Sequence, residues 1–319
     1  MILFLLIFFS LGLIFGSFST VLIERWHSGK WGIMMGRSEC PHCHHILGMQ
    51  DLFPLFSYIW SRGKCSHCGV GVAVFYPIAE LVMGTIFALL AFAAMRLDID
   101  LLSLEMILLL VFGFITGIYI LYDVRYMEIP DQIMVPALSL LLAIPFFSLL
   151  FSWYSEYTFH TFHISIFDRI FGAFMLYTFF YIQILIPGGY HLIRDRDWKH
   201  LGELLISYIT FPIVLVVDMF RETKQDETLE IPTWIGGGDL RIALFIGLTL
   251  GTLHGIASFA FAYIIGSIVW VFILIYNAIK QQKTESQIPF GPFLGIGWIL
   301  SIVLYKEIII FYTLFFIGQ

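Results

Sequence analysis

An all-α polytopic membrane protein with about eight transmembrane helices and a small cysteine-bearing cytoplasmic loop domain is the fold class this sequence predicts. Three features predict it: extreme apolarity, recurrent apolar runs of near-spanning length, and four cysteines gathered in one loop. Of 319 residues, 59% are hydrophobic, 18% aromatic and only 13% charged, with a mean hydropathy of +0.89. A soluble domain carries about 25% charged residues, and no soluble fold of this size buries so much apolar surface. A run of roughly 20 apolar residues spans a bilayer core. By that measure the spans fall at roughly 2–23, 76–95, 102–122, 132–152, 168–187, 240–254, 256–279 and 291–316. The lipid bilayer is the expected partner; nucleic acid is not.

The first run, Met1 to Ile23, has no basic residue ahead of it and is followed by Arg25. A cleaved signal peptide has the reverse order, so this is expected to be a retained span with its N-terminus outside. The inside segments are then 24–75, 123–131, 188–239 and 280–290. With Arg241, two residues past the third segment, they account for 14 of the 17 Lys and Arg residues, Arg96, Arg169 and Lys306 being the exceptions, as the positive-inside rule requires. Leu201 to Phe220 is apolar enough to span but carries Glu203, Pro212 and Asp218. Reading it as an interfacial or re-entrant helix preserves the charge asymmetry.

The cysteines form two pairs, Cys40-Pro-His-Cys43 and Cys65-Ser-His-Cys68, separated by 21 residues. Two such knuckles suit one tetrahedral zinc, because each short turn aims two thiolates at one point. Four thiolates close the coordination shell, so the expected metal is structural and would supply folding energy to a loop short of core-forming residues. A reducing cytoplasm favours zinc over disulfides; two disulfides or redox chemistry are the alternatives. His42, His44, His45 and His67 lie among the cysteines as solvated residues or a substitute ligand.

Two acidic segments sit at inside span ends: Asp123-Val-Arg-Tyr-Met-Glu-Ile-Pro130-Asp131, and Gly236-Gly237-Gly238-Asp239. Ionisable groups near hydrocarbon are costly and point to function. Two neighbouring carboxyls share a proton, so one accepts a proton from water while the other donates to a peptide carbonyl. Glycines before Asp239 permit close backbone approach. On residues alone, solvated span-end acids and a glycine hinge account for the same pattern, and Asp131 also suits a helix N-terminus.

Asp123 followed by Ile129-Pro130-Asp131, with Gly236-x-Gly238-Asp239, resembles the GxGD intramembrane aspartic proteases. Further motifs, in order, resemble the bacterial type IV prepilin peptidases over nearly the whole chain: Gly16-Ser-Phe, Glu24-Arg25, Cys40-Pro-x-Cys43, Asp51-Leu-x-Pro54, Arg62-Gly-Lys-Cys65, Tyr76-Pro-x-x-Glu80 and Pro289-Phe-Gly-Pro-Phe-Leu294. The resemblance implies Asp123 and Asp239 as the catalytic pair, with Gly236, Gly238, Pro130 and Asp131 as supporting motif residues. It implies removal of short basic leaders from prepilins or pseudopilins at the cytoplasmic face of a bacterial inner membrane. It also implies N-methylation of the new amine with S-adenosylmethionine.

Four departures stand out: Thr20 where asparagine is usual, Trp26-His27 for Leu-Pro, Phe75 for arginine, and an insertion around 188–235. The first three lie in parts associated with methylation. Glu80 either serves methylation or braces the cysteine loop. The expected organisation is a first helix at 1–23, the four-cysteine zinc-binding domain at 24–75, and a membrane-embedded peptidase domain at 76–319. The rival readings are a polytopic transporter, whose acids would line a midplane path, and a non-catalytic assembly scaffold.

Overall fold

In lipid a backbone must satisfy its own hydrogen bonds, so apolar runs fold as helices. The structure, a computed structural model, describes residues 1–29, 38–40, 42–150, 164–206, 236–280 and 288–318, without side chains at 144–150 and 317. Its helices are α1 (Ile2–His27), α2 (Phe56–Trp60), α3 (Phe75–Arg96), α4 (Leu104–Tyr126), α5 (Asp131–Leu150) and α6 (Ile166–Arg194). They are followed by α7 (198–206), α8 (Gly237–Lys280), α9 (Gly291–Val303), α10 (Tyr305–Tyr312) and a π-helical turn, Thr313–Ile317. Among the described residues, β pairing is limited to two isolated bridges, Glu39–Ile46 and Lys64–Gly71.

Five described helices are long and apolar enough to cross a membrane, or six if α9 and α10 count as one bent span. Among the described residues the expected count of eight is not confirmed. The runs expected at 240–254 and 256–279 fall on the two helical stretches of α8, which meet at a non-helical break at Gly251 (φ 69°, ψ −166°). Residues 131–143 are an apolar stretch of α5, and the helix continues to Leu150, 20 residues in all. In the expected insertion, residues 188–194 complete α6 and 198–206 form α7. Residues 207–235, with most of the Leu201–Phe220 stretch, lie outside the described residues.

The chain divides into two compact units, Met1–Met127 with Ile299–Gln319, and Glu128–Trp298. In the first, α1 packs along α3. Gly12 and Gly16, one turn apart, make this possible: a Cβ on either would come within 2.6 Å of α3 backbone, at Met83 and Glu80. Small residues four apart let membrane helices approach closely where the hydrophobic effect does not drive association. Ser103 caps α4 by accepting the Met106 N–H at 3.2 Å. At the far end of α3, Arg96 pairs with Glu307 and donates to the Val303 carbonyl.

In the second unit α6 packs against α8, with α5 beside it. The break at Gly251 leaves backbone groups without their helical partners, and adjacent residues of α6 satisfy them. Arg169 donates to the carbonyls of Leu248 and Thr249 at 3.0 and 3.1 Å. The Asp168 carboxylate accepts the Thr252 N–H at 3.2 Å. One side chain thus closes the C-terminus of the first half of α8, and its neighbour caps the N-terminus of the second. Trp298 adds a buried hydrogen bond to the Thr249 hydroxyl at 2.9 Å.

Candidate active site and metal centre

The four cysteines converge. Their sulfurs all lie within 4.8 Å of one another, with Cys40 and Cys68 3.9 Å apart. All four are free thiols, and the convergence of all four on one point suits a single metal ion better than two separate disulfides. A tetrahedron of ~2.3 Å metal–sulfur bonds has edges of about 3.8 Å, and the cluster is close to that size.

The two knuckles are built alike. The Cys40 N–H donates to the His45 carbonyl and the His44 N–H returns to Cys40; the Cys65 N–H donates to Val70 and the Gly69 N–H returns to Cys65. Each turn closes through a left-handed residue four after its first cysteine, His44 (φ 55°) and Gly69 (φ 71°). The backbone N–H groups of Cys43 and His42 aim at the Cys40 sulfur and lower its pKa to about 6. Cys68 accepts the Val70 N–H, yet desolvation and the three neighbouring thiols push it up to about 11. A dication bound among these sulfurs would take the place of the protons they otherwise share.

The loop is pinned on both sides. Asp51 accepts the Gly48 N–H at 3.1 Å and the Ser66 hydroxyl at 2.9 Å, tying the two knuckles together. These bonds, with His45 and His67 nearby, lower its carboxyl below the usual range. Glu80, buried in α3, accepts the Leu55 N–H at 2.8 Å and the Ser17 hydroxyl of α1. Of the two roles expected for Glu80, the bracing contact is therefore present.

Asp123 is buried in the last turn of α4. The helix stops at Met127, a left-handed residue (φ 54°) whose N–H returns to the Asp123 carbonyl at 2.9 Å. Around this end Arg125 pairs with Glu24 of α1 at 3.1 Å, and the Tyr76 hydroxyl of α3 donates to the same carboxylate at 2.6 Å. Two of the departures from the family pattern, Phe75 and His27, lie here. The Phe75 ring sits under the Arg125 guanidinium at 4.4 Å, a favourable cation–π geometry. His27 stacks on Tyr126 at 3.7 Å. Thr20 is buried and bonds the Ser17 carbonyl. Arg125 and Glu24 as a clamp on the Asp123 helix escaped the sequence reading; the only signal was two opposite charges at the ends of different spans.

Asp239 lies in the second unit, buried in the first turn of α8, its N–H on the Gly236 carbonyl at 3.1 Å. Of the three preceding glycines, Gly238 alone is sterically required: a Cβ there would lie 2.6 Å from Ile129 Cγ1 and 2.9 Å from its Cβ. Pro130 precedes α5, and its carbonyl accepts the Met134 N–H at 3.2 Å. Asp131 opens α5 as expected and pairs with Arg241. That pair joins the starts of α5 and α8, and Arg241 was another residue the sequence reading missed.

The fold and these sites define a polytopic helical membrane protein with four cysteines placed to hold a metal ion and buried acids at two helix ends. Residues 10–94 match the model of the bacterial peptidase A24 N-terminal domain. Over 312 residues, 98% of this chain and 99% of the relative, it is 27% identical to the prepilin leader peptidase/N-methyltransferase of Bacillus subtilis (strain 168). The protein of the same name from Pectobacterium carotovorum subsp. carotovorum is 25% identical over 92% of this chain and 91% of its own length. That of Myxococcus xanthus (strain DK1622) reaches 40% identity, over 30% of this chain and 27% of its own length. No solved structure matches. Over nearly its whole length the chain is thus similar to bacterial prepilin leader peptidase/N-methyltransferases.

Proposed function

We propose that this protein is an intramembrane aspartic endopeptidase that removes the basic leaders of type IV prepilins or pseudopilins and N-methylates the new N-terminus. The observation that carries this reading is the relationship to the Bacillus subtilis enzyme, which extends over both aspartate segments. The family-model match ends at residue 94, before either of them. A transporter or a non-catalytic scaffold is not favoured by relatives of this kind.

In this reading Asp123 and Asp239 act together. One carboxylate takes a proton from the attacking water; the other carboxyl donates to the scissile carbonyl. Gly238 and the Asp131–Arg241 pair hold the start of the Asp239 helix, and the Glu24–Arg125–Tyr76 cluster holds the end of the Asp123 helix. The charge asymmetry of the loops supports an N-terminus outside and an active site on the cytoplasmic face of the inner membrane. Cys40, Cys43, Cys65 and Cys68 would hold a structural zinc, which neutralises four clustered thiolates and locks the knuckles together. S-adenosylmethionine is the methyl donor in this reading. The Glu80 carboxylate is already engaged by Leu55 and Ser17, so it does not fit as a docking acid for that cofactor and is assigned the bracing role.

The test uses purified protein and a prepilin substrate. Asp123→Asn and Asp239→Asn should each abolish leader removal while the protein stays folded, because paired groups act as a unit. Full cleavage by either variant refutes the assignment. Mass spectrometry of processed pilin after incubation with labelled S-adenosylmethionine tests methylation; an unmethylated product leaves a peptidase alone.

A further inference from the structure

The cysteine loop carries an apolar surface that neither the metal site nor the catalytic reading uses. Trp60 is 93% exposed, Ile59 72%, Phe56 67% and Phe53 59%. In α2, Phe56, Ile59 and Trp60 follow the i, i+3, i+4 spacing of one helix face. The opposite side turns inward, with the Tyr58 hydroxyl against Gly63. Four large side chains on one convex face are an unusual exposure in water.

The depth of this face follows from its tether. The Leu55 N–H, immediately ahead of α2, is bound to Glu80, five residues inside the start of α3. With 22 residues, α3 is about 33 Å long, against a hydrocarbon core of about 30 Å. The span has almost no slack, so Glu80 lies roughly 7 Å below the helix start. The hydrogen bond holds the beginning of α2 at the boundary between headgroups and acyl chains. Exposed Arg62 and Lys64 follow α2 directly, suiting anionic headgroups and disfavouring a basic leader peptide as the occupant.

We propose that the Phe53–Trp60 face is a membrane-interface anchor, lying in the leaflet where α1 ends and α3 begins, with Arg62 and Lys64 on its anionic headgroups. The cysteine loop is then not suspended in water. It is held to the bilayer through α2 and to the helices through Glu80, independently of any peptidase activity.

The experiment uses the full chain reconstituted in vesicles of phosphatidylethanolamine and phosphatidylglycerol. Emission from Trp60 is isolated as the difference between the native protein and Trp60→Phe. The anchor requires this emission to be blue-shifted, shielded from aqueous acrylamide and largely lost when the acyl chains are brominated. Phe56→Glu with Ile59→Glu should restore quenching by acrylamide. The native-protein measurement decides the matter even if that variant folds poorly. Emission open to acrylamide and indifferent to bromolipid overturns the proposal. So does emission that becomes shielded only when prepilin is added, or only at high protein density, since the occupant is then the substrate or a second copy.

Discussion

Replacing Gly238 by alanine tests whether the helix carrying Asp239 depends on one close contact. The added Cβ would lie 2.6 Å from Ile129 Cγ1 and 2.9 Å from Ile129 Cβ, where ordinary contact begins near 3.4 Å. The Cγ1 arm can rotate away, but Cβ is fixed to the backbone, so at least half an ångström must come from movement of the chain. Overpacking of this kind costs about 1–3 kcal/mol, against a helix-propensity gain of roughly 0.8–1.0 kcal/mol. Stability should therefore fall by no more than about 2 kcal/mol. Activity should fall further, because a displacement approaching 1 Å at a reacting group costs about a hundredfold. Leader removal by purified Gly238→Ala, measured against Gly236→Ala and Gly237→Ala, separates the effects: at those two positions the nearest approach is 3.6 Å or nothing at all. Ile129→Ala should partly rescue Gly238→Ala by removing the closer atom. Equal activity in all three glycine variants, or no rescue, would refute the reasoning.

The other predictions concern the metal, the brace, the helix break and the surface ion pair. The purified protein should hold about one zinc per chain, and Cys40→Ser or Cys68→Ser should lower that content by elemental analysis. Glu80→Ala removes the acceptor for a backbone N–H and should loosen the loop by ~1–3 kcal/mol, seen as faster proteolysis between residues 48 and 72. Glu80→Gln keeps an acceptor and should be milder. Arg169→Ala strips two buried carbonyls at the α8 break of their partner and should lower thermal stability by about 2–5 kcal/mol; a surface-like effect on Tm would contradict the capping role. Asp131→Ala breaks a half-exposed pair worth about 0–1 kcal/mol, so cleavage should drop less than tenfold; a loss as deep as that of Asp239→Asn would make Asp131 a catalytic candidate.

Much of this protein was legible in the sequence because lipid imposes strong one-dimensional constraints. Runs of near-spanning length located α1, α3, α4, α5 and α6 to within a few residues at most ends, and the CxxC spacing located a metal-sized cluster of sulfurs. The buried Asp123 and Asp239 were marked by the cost of placing charge near hydrocarbon. The tertiary structure decided what depends on partners distant in the chain. Only packing shows that Gly238, and not its two neighbours, is needed against Ile129. Only packing shows that Glu80 bonds Leu55, that Arg125 lies between Glu24 and Phe75, and that Arg169 and Asp168 satisfy the broken backbone at Gly251. Hydropathy put the junction of two runs near residue 255, whereas the backbone breaks at Gly251, because a positive φ is open to glycine at no steric cost. Sequence thus fixes which segments must leave water; the backbone groups left open at breaks, turns and helix ends fix which side chains must meet them.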